Sequence, residues 1–275
     1  VISFNHRSHY GSSMHDDTDS TPLLSRRRLL GGCAAAGTVG LAGCSSRSLA
    51  AETTVTEEYD ASEIATLAIN VPNGTIDITG EQRQTVGVEA TKQAVDEDAL
   101  DRLTLQDERS EDSLSLAVDS GDSGLLSLGP APRMDLSLTV PPGLQLDAES
   151  TNGAITVDTA AADGITAEVT NGAVDIDTGG ADSVTAETTN GDIALAVAEA
   201  TDVQADTKNG NVSITVPATA EPSISYETTN GGFEASGLDA GSIEADADVE
   251  RTLGNGTHQL TVTTTNGDLT IRGDR

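Results

Sequence analysis

Four stretches decide the fold: Thr151-Asn152-Gly153-Ala154-Ile155, Thr170-Asn171-Gly172-Ala173-Val174, Thr189-Asn190-Gly191-Asp192-Ile193 and Lys208-Asn209-Gly210-Asn211-Val212. Each stands 19 residues after the last, and the flanking residues keep phase. An acid precedes each turn: Glu149, Glu168, Glu187 and Asp206. A repeat in this length range, written in β-favouring residues, is the signature of a solenoid whose equivalent residues stack. Four apolar ladders are expected. Leu146, Ile165, Val184 and Val203 make one; Ala148, Ala167, Ala186 and Ala205 make another, with Tyr226 next in register. Ile155, Val174, Ile193 and Val212 make the third; Val157, Ile176, Leu195 and Ile214 make the fourth. The expected fold class is all-β: a single-stranded β-helix or β-solenoid with coils of about 19 residues.

Asn-Gly between alternating strands is also the best short signal for a type I′ hairpin, so an antiparallel meander is the rival architecture. The constant step favours the solenoid, because a meander needs no identical residues at equal intervals. In a solenoid, Gly is expected to supply positive φ at each corner and stacked Asn side chains to bond from coil to coil.

The chain has 275 residues, no Trp, three Tyr and two Phe. Its apolar residues are mainly Ala, Val, Leu and Ile, which suit a thin core between facing sheets. Net charge is −31. Removing residues 1–43 takes away four Arg and three Asp and leaves −32. The only lysines are Lys92 and Lys208. Such a surface repels nucleic acid and anionic headgroups. It suits molar salt, where the Debye length falls to about 3 Å and self-repulsion is screened. High charge with few aromatics also marks disorder, but the regular alternation of apolar residues argues for a packed core.

Both cysteines, Cys33 and Cys44, lie near the N-terminus, so no disulfide framework is available to the repeats. Ser25-Arg26-Arg27-Arg28-Leu29-Leu30 resembles a twin-arginine export signal, with Arg26 and Arg27 as the recognised pair. The apolar stretch that follows is too short and Gly-rich to span a bilayer. It ends in Leu41-Ala42-Gly43-Cys44, which resembles a lipobox with Cys44 as the lipidated residue. The expected organisation is a signal peptide over 1–43, a tether over 44–60 and the repeat domain over 61–275. Residues 1–13 precede Met14 and read as untranslated. The expected location is the outer face of the cytoplasmic membrane, with a two-chain lipid on Cys44 as anchor.

Little in the chain is suited to catalysis. Within 44–275 there is one His, His258, in the alternating run His258-Gln-Leu-Thr-Val262, where it is expected to point outward. No Cys/His metal site and no phosphate-binding glycine loop can be assembled, so no cofactor is expected. Carboxylates are abundant, but the aromatics and bases that line polysaccharide-cleaving grooves are missing. The expectation is a non-enzyme. Glu149, Glu168, Glu187, Asp206 and Glu227 would form one acidic ladder about 4.8 Å per step, a possible seat for bridging cations or a face solvated by salt. Asn73-Gly-Thr75, Asn211-Val-Ser213 and Asn255-Gly-Thr257 match the N-glycosylation sequon.

Leu67-Ala-Ile-Asn-Val-Pro-Asn-Gly-Thr-Ile-Asp-Ile78, Leu136-Ser-Leu-Thr-Val-Pro-Pro-Gly-Leu-Gln-Leu146 and the recurring Thr-Asn-Gly-x-Ile/Val resemble a widespread family of unknown function labelled putative adhesin. The resemblance covers about residues 61–275. It implies a β-helix-like, surface-exposed or envelope-associated domain with no established catalysis and no site residues to carry over. The expected function is a lipid-anchored surface adhesin or envelope-binding module whose ligand is an unknown cell-surface or envelope component. The alternative is an accessory protein of an envelope-stress or membrane-sensing system.

Overall fold

The computed structural model describes residues 49–121, 130–159, 161–198, 201–239, 241–245 and 248–274. Among them one short helix, α1 (Glu97–Arg102), stands against 21 strands. In chain order the first are β1 (Ala51–Asp60), β2 (Thr66–Asn73), β3 (Ile76–Gly80), β4 (Thr85–Ala94), β5 (Thr104–Arg109), β6 (Ser113–Asp119) and β7 (Arg133–Val140). The regular region holds β8 (Gln145–Asn152), β9 (Ile155–Thr159), β10 (Gly164–Asn171), β11 (Val174–Thr178), β12 (Ser183–Asn190), β13 (Ile193–Val197), β14 (Asp202–Asn209) and β15 (Val212–Pro217). The last are β16 (Ser223–Asn230), β17 (Phe233–Ser236), β18 (Ile243–Ala245), β19 (Val249–Thr252), β20 (Gln259–Asn266) and β21 (Leu269–Asp274).

The protein is all-β, built from two sheets rich in parallel pairs. Sheet A has eleven strands in the order β1-β4-β7-β3-β9-β11-β13-β15-β21-β17-β18. Sheet B has ten, in the order β19-β16-β20-β14-β12-β10-β8-β2-β6-β5. Each sheet buries one face and wets the other, which is why its strands read as clean alternation rather than as the continuous apolar runs of most parallel sheets. In β10, Ile165, Ala167 and Val169 are buried while Glu168 and Thr170 are exposed.

The two strands flanking each Asn-Gly of the Asn ladder lie in different sheets, so the hairpin alternative does not hold. β8 belongs to sheet B and β9 to sheet A. Across layers, strands 19 residues apart pair in parallel and in register: Ile165 faces Val184, Ala167 faces Ala186 and Asn171 faces Asn190. In sheet A, Val174 faces Ile193 and Ile176 faces Leu195.

The corners are ordered as tightly as the strands. An uninterrupted side-chain ladder runs Asn73, Asn152, Asn171, Asn190, Asn209, Asn266, Asn230. From Asn152 onward each Nδ2 donates to the preceding asparagine's Oδ1 at 2.9–3.1 Å. The amide of the next glycine continues the backbone ladder, as Gly172 N–H donates to Asn190 O at 3.0 Å and Gly191 N–H to Asn209 O at 3.0 Å. Positive φ is not the common reason for these glycines, contrary to the sequence expectation. Gly74, Gly153 and Gly172 have it; Gly191, Gly210, Gly231 and Gly267 do not. What all seven share is close approach. A Cβ on Gly191 would overlap the carbonyl of Gly172, one on Gly210 that of Gly191, and one on Gly267 that of Gly210. Behind the column, inward hydroxyls satisfy those carbonyls: Thr188 donates to Gly172 O at 3.0 Å and Thr207 to Gly191 O at 3.2 Å.

The order of layers departs from the order of the chain at both ends. β2 and β3 sit between β6/β7 and β8/β9, and β20 and β21 sit between β14/β15 and β16/β17. Tyr226 is therefore not the rung after Ala205. Val262 pairs with Ala205, and Tyr226 lies one strand further out. The Ala row grows to Val262 and Tyr226 at one end and to Ile69 and Leu116 at the other. Larger side chains thus occupy the interior where no further layer shares it. At the β16 end Tyr226 packs on Phe233, ring centroids 6.2 Å apart, and its hydroxyl donates to Gly267 O at 2.9 Å. At the other end α1, capped by the Asp96 carboxylate accepting from Ala99 N–H at 2.8 Å, delivers buried Ala99 and Leu103.

Two expectations are corrected here. The tether does not extend to residue 60, because Ala51–Asp60 is the edge strand of sheet A, paired with β4 along its whole length. His258 does not point outward; it is 3% exposed. A strand's period of two puts it on the same face as Leu260 and Val262, both buried. Antiparallel strands close the sheet ends, and the edge strands β1 and β5 carry Glu52, Glu57, Glu58, Asp107 and Glu108, charges that oppose edge-to-edge pairing.

Candidate functional site

The outer face of sheet B presents the most regular array of exposed side chains. Strand register brings Glu149, Glu168, Glu187 and Asp206 onto four adjacent strands, β8, β10, β12 and β14. Glu227 does not join them. β20 intervenes, so Asp206 is followed by Thr263 and only then by Glu227. At the other end Asn70 takes the equivalent place and donates to Glu149 Oε2 at 2.7 Å. Beside the acids runs a second row, Thr151, Thr170, half-buried Thr189, Lys208 and Thr265. The sequence showed its first four members as the residues before each Asn-Gly, and a ladder reading of that position would have found them.

These two rows line an open groove of about 450 Å³ that includes Glu168, Glu187, Asp206, Thr189 and Lys208. Among the described residues no three carboxylates or imidazoles converge closely enough to hold one metal ion. Strand spacing of about 4.8 Å keeps neighbouring acids side by side rather than around a common centre. Glu168, with an acid on each side, feels this most. Although its side chain is exposed, the packed row around it strips some water from its carboxyl and holds it above the ordinary value of 4.5, and the charges of Glu187, Glu149 and Asp147 add to the shift. The aromatics of the described residues stay off this face: Tyr226 and Phe233 are buried and Tyr59 is half-buried in β1. Recognition here would therefore run through hydroxyls, amides and carboxylates.

The raised carboxyl of Glu168 fixes the sign of a pH effect. Because folding favours its protonated form, that contribution is fully present below the unfolded-state value and is lost as pH rises through the folded one. Glu168→Gln removes the repulsion at neutral pH. At low ionic strength it should raise Tm by about 2–4 °C, the equivalent of about 1 kcal/mol from two like-charged cross-strand neighbours. The gain should shrink below pH 4 and in molar salt. A scanning-calorimetry series over pH and salt checks it; an equal gain at pH 3.5 would contradict the like-charge account.

The other candidate residues are scattered. Asn73 belongs to the Asn ladder, Asn211 directly precedes β15, and Asn255 lies in the connection between β19 and β20. Arg26, Arg27 and Cys44 lie outside the described residues. Among the described residues no helix is long and apolar enough to cross a membrane.

The family described as Toastrack DUF4097 matches residues 38–272. Among solved structures, a putative cell adhesion protein from Clostridium sporogenes is 11% identical, with 82% of this chain and 100% of that one covered and a TM-score of 0.40. A putative adhesin from Bacteroides fragilis is 13% identical, with 80% and 97% covered and a TM-score of 0.41. No curated protein matches the sequence.

Proposed function

We propose, from the premise that this chain belongs to the Toastrack DUF4097 family, that it is a non-catalytic binding module held at the outer face of the cytoplasmic membrane. Its regular part, Gln145–Pro217, is read as a single-stranded β-helix of about 19-residue coils whose job is to hold surface side chains at fixed spacing. One observation carries this reading: two parallel rows, one acidic and one mostly threonine, cross the outer face of sheet B on adjacent strands in strict register. A rigid polar lattice of this kind matches a repeating polar partner, so the expected ligand is a hydroxyl- or amine-bearing component of the cell surface. The adhesin-like reading of the family supports the same location.

The anchor follows from the leader. With lipid on Cys44, seven residues lead to the first residue of β1, a reach of at most about 25 Å. That link keeps the start of β1 within about 25 Å of the lipidated residue. Cys44→Ser should move the protein from the membrane fraction to the medium, read by fractionation and blotting; retention on the membrane would rule the anchor out. Binding is tested with the soluble domain, residues 49–275, in pull-downs from cell envelopes at molar salt. Glu168→Gln with Glu187→Gln and Lys208→Ala should abolish capture by the wild-type domain's partner. Undiminished capture by that folded variant would remove sheet B's outer face from the reading.

A further inference from the structure

The chain carries three sequons, and the folded geometry separates them. At Asn73 the side-chain Oδ1 accepts from Asn152 Nδ2 at 3.0 Å, and Thr75 N–H donates to Asp135 Oδ1 at 2.9 Å. This sequon is part of the corner column. At Asn211 the side-chain Oδ1 accepts from Asp268 N–H at 3.0 Å and the backbone N–H donates to Asp192 Oδ1 at 2.7 Å. Its Val212 and Ser213 run inside β15, paired on one side with β13 and on the other with β21. Presenting either sequon to an enzyme would mean pulling a layer apart.

Asn255 differs in lying outside the strands and the corner column. It lies in the turn that joins β19 to β20, and both Asn255 and Thr257 are exposed. Left-handed glycines on either side bend the chain outward, Gly254 at φ +53° and Gly256 at φ +62°. The backbone of this turn is held by Glu221, whose Oε2 accepts from Asn255 N–H at 3.0 Å and whose carbonyl accepts from Thr257 N–H at 2.9 Å. The turn is thus fixed at its base while the Asn255 side chain projects and the exposed Thr257 keeps its hydroxyl 3.3 Å from His258 Nδ1. This is the kind of surface loop on which a bulky glycan can be accommodated.

We propose that Asn255 is the N-glycan acceptor of this protein. The proposal rests on the export reading above: twin-arginine export passes chains that are already folded, so folded geometry decides which sequon the transferase meets. The donor is an oligosaccharide activated on a lipid phosphate or pyrophosphate. Asn255 Nδ2 forms a bond to the anomeric carbon, and the anomeric C–O bond to the lipid phosphate breaks. The phosphate leaves with the electron pair, and Nδ2 gives one proton to a base of the transferase. Asn255 sits at the β16–β19 end of the stack, opposite the end that carries β1, to which the proposed anchor on Cys44 leads. A glycan there would face away from the membrane and screen the short edge strand β19 from pairing.

The test is glycopeptide mapping and intact mass of the full chain, made in a host that grows in molar salt and N-glycosylates exported proteins. One occupied site, Asn255, is expected. Asn255→Gln and Thr257→Ala should each remove all glycan mass, Thr257→Ser should retain it, and Thr75→Ala and Ser213→Ala should leave it unchanged. Glycan on Asn73 or Asn211 overturns the assignment. A second version, with residues 1–43 replaced by an established twin-arginine leader, separates this proposal from the leader reading. If that exported chain carries no glycan the acceptor assignment falls, whatever happens at Cys44.

Discussion

Gly191→Ala will cost the protein about 3 kcal/mol or more, although it adds one methyl group at a surface corner. The new Cβ falls on the carbonyl oxygen of Gly172 and presses on the backbone N of Ala173. Neither is the far end of a flexible side chain. Backbone must move, and at this corner the backbone is committed: Gly191 N–H donates to Asn209 O, and Gly172 O accepts from Thr188. Shifting one rung also lengthens the Asn190–Asn171 and Asn209–Asn190 side-chain bonds. Overpacking alone typically costs about 1–3 kcal/mol, and each hydrogen bond loosened adds about 1 kcal/mol. Gly232→Ala is the control, since the nearest atom to its Cβ would be 3.5 Å away. It should stay within about 0.5 kcal/mol of the parent, as surface substitutions do. Urea unfolding at constant molar salt reads both, as a lower midpoint for Gly191→Ala with unchanged slope. Equal midpoints for the two variants would remove close approach as the reason for the glycine column.

The glycine column also shows why part of this fold can be read from sequence. Over residues 145–217 each 19-residue stretch of sequence repeats the same chemistry at the same phase, so one reading of Thr-Asn-Gly-x-Ile fixes strand, corner, inward face and neighbour together. Phase alone does not say which layer a later strand joins. Asn230 is the next repeat asparagine after Asn209 in the chain, but Asn266 occupies the adjoining rung. A signal was present. Thr264-Thr265-Asn266-Gly267-Asp268-Leu269 repeats Thr188-Thr189-Asn190-Gly191-Asp192-Ile193 almost residue for residue, whereas Asn230 is followed by Gly231-Gly232-Phe233. The better match belongs to the inner layer. Bulky Tyr226 and Phe233, which fill the interior where the stack ends, belong to the outer one. The acid row inherits the same division. Its first four members were legible because they keep the period; Glu227 was misplaced because the strand that separates it from Asp206 comes later in the chain. His258 was misread for a different reason: counted in twos, it shares a face with Leu260.

Deleting residues 258–275 should unfold the C-terminal half of the domain, not trim it. In a repeat array whose last coil is also its last layer, truncation removes one interface and leaves the rest standing. Here residues 258–275 supply β20 and β21, interior strands of sheet B and sheet A. Their removal strips β14 and β15 of one partner each and leaves β16 and β17 with no parallel neighbour. Leu260, Val262, Leu269 and Ile271 are all fully buried. At about 1.5–3 kcal/mol each, their burial contributes about 6–12 kcal/mol, as much as the whole net stability of an ordinary domain. The single substitution Ile271→Ala, only four residues from the end of the chain, should by itself cost about 2–5 kcal/mol. Native-state hydrogen exchange gives an independent reading. The amides of Thr270 and Ile271 should be protected as strongly as those of β13, whereas a terminal strand at a sheet edge would exchange by fraying. A truncated chain that melts within a few degrees of the full one, with β16 still protected, would mean that the inserted layer does not hold the stack together.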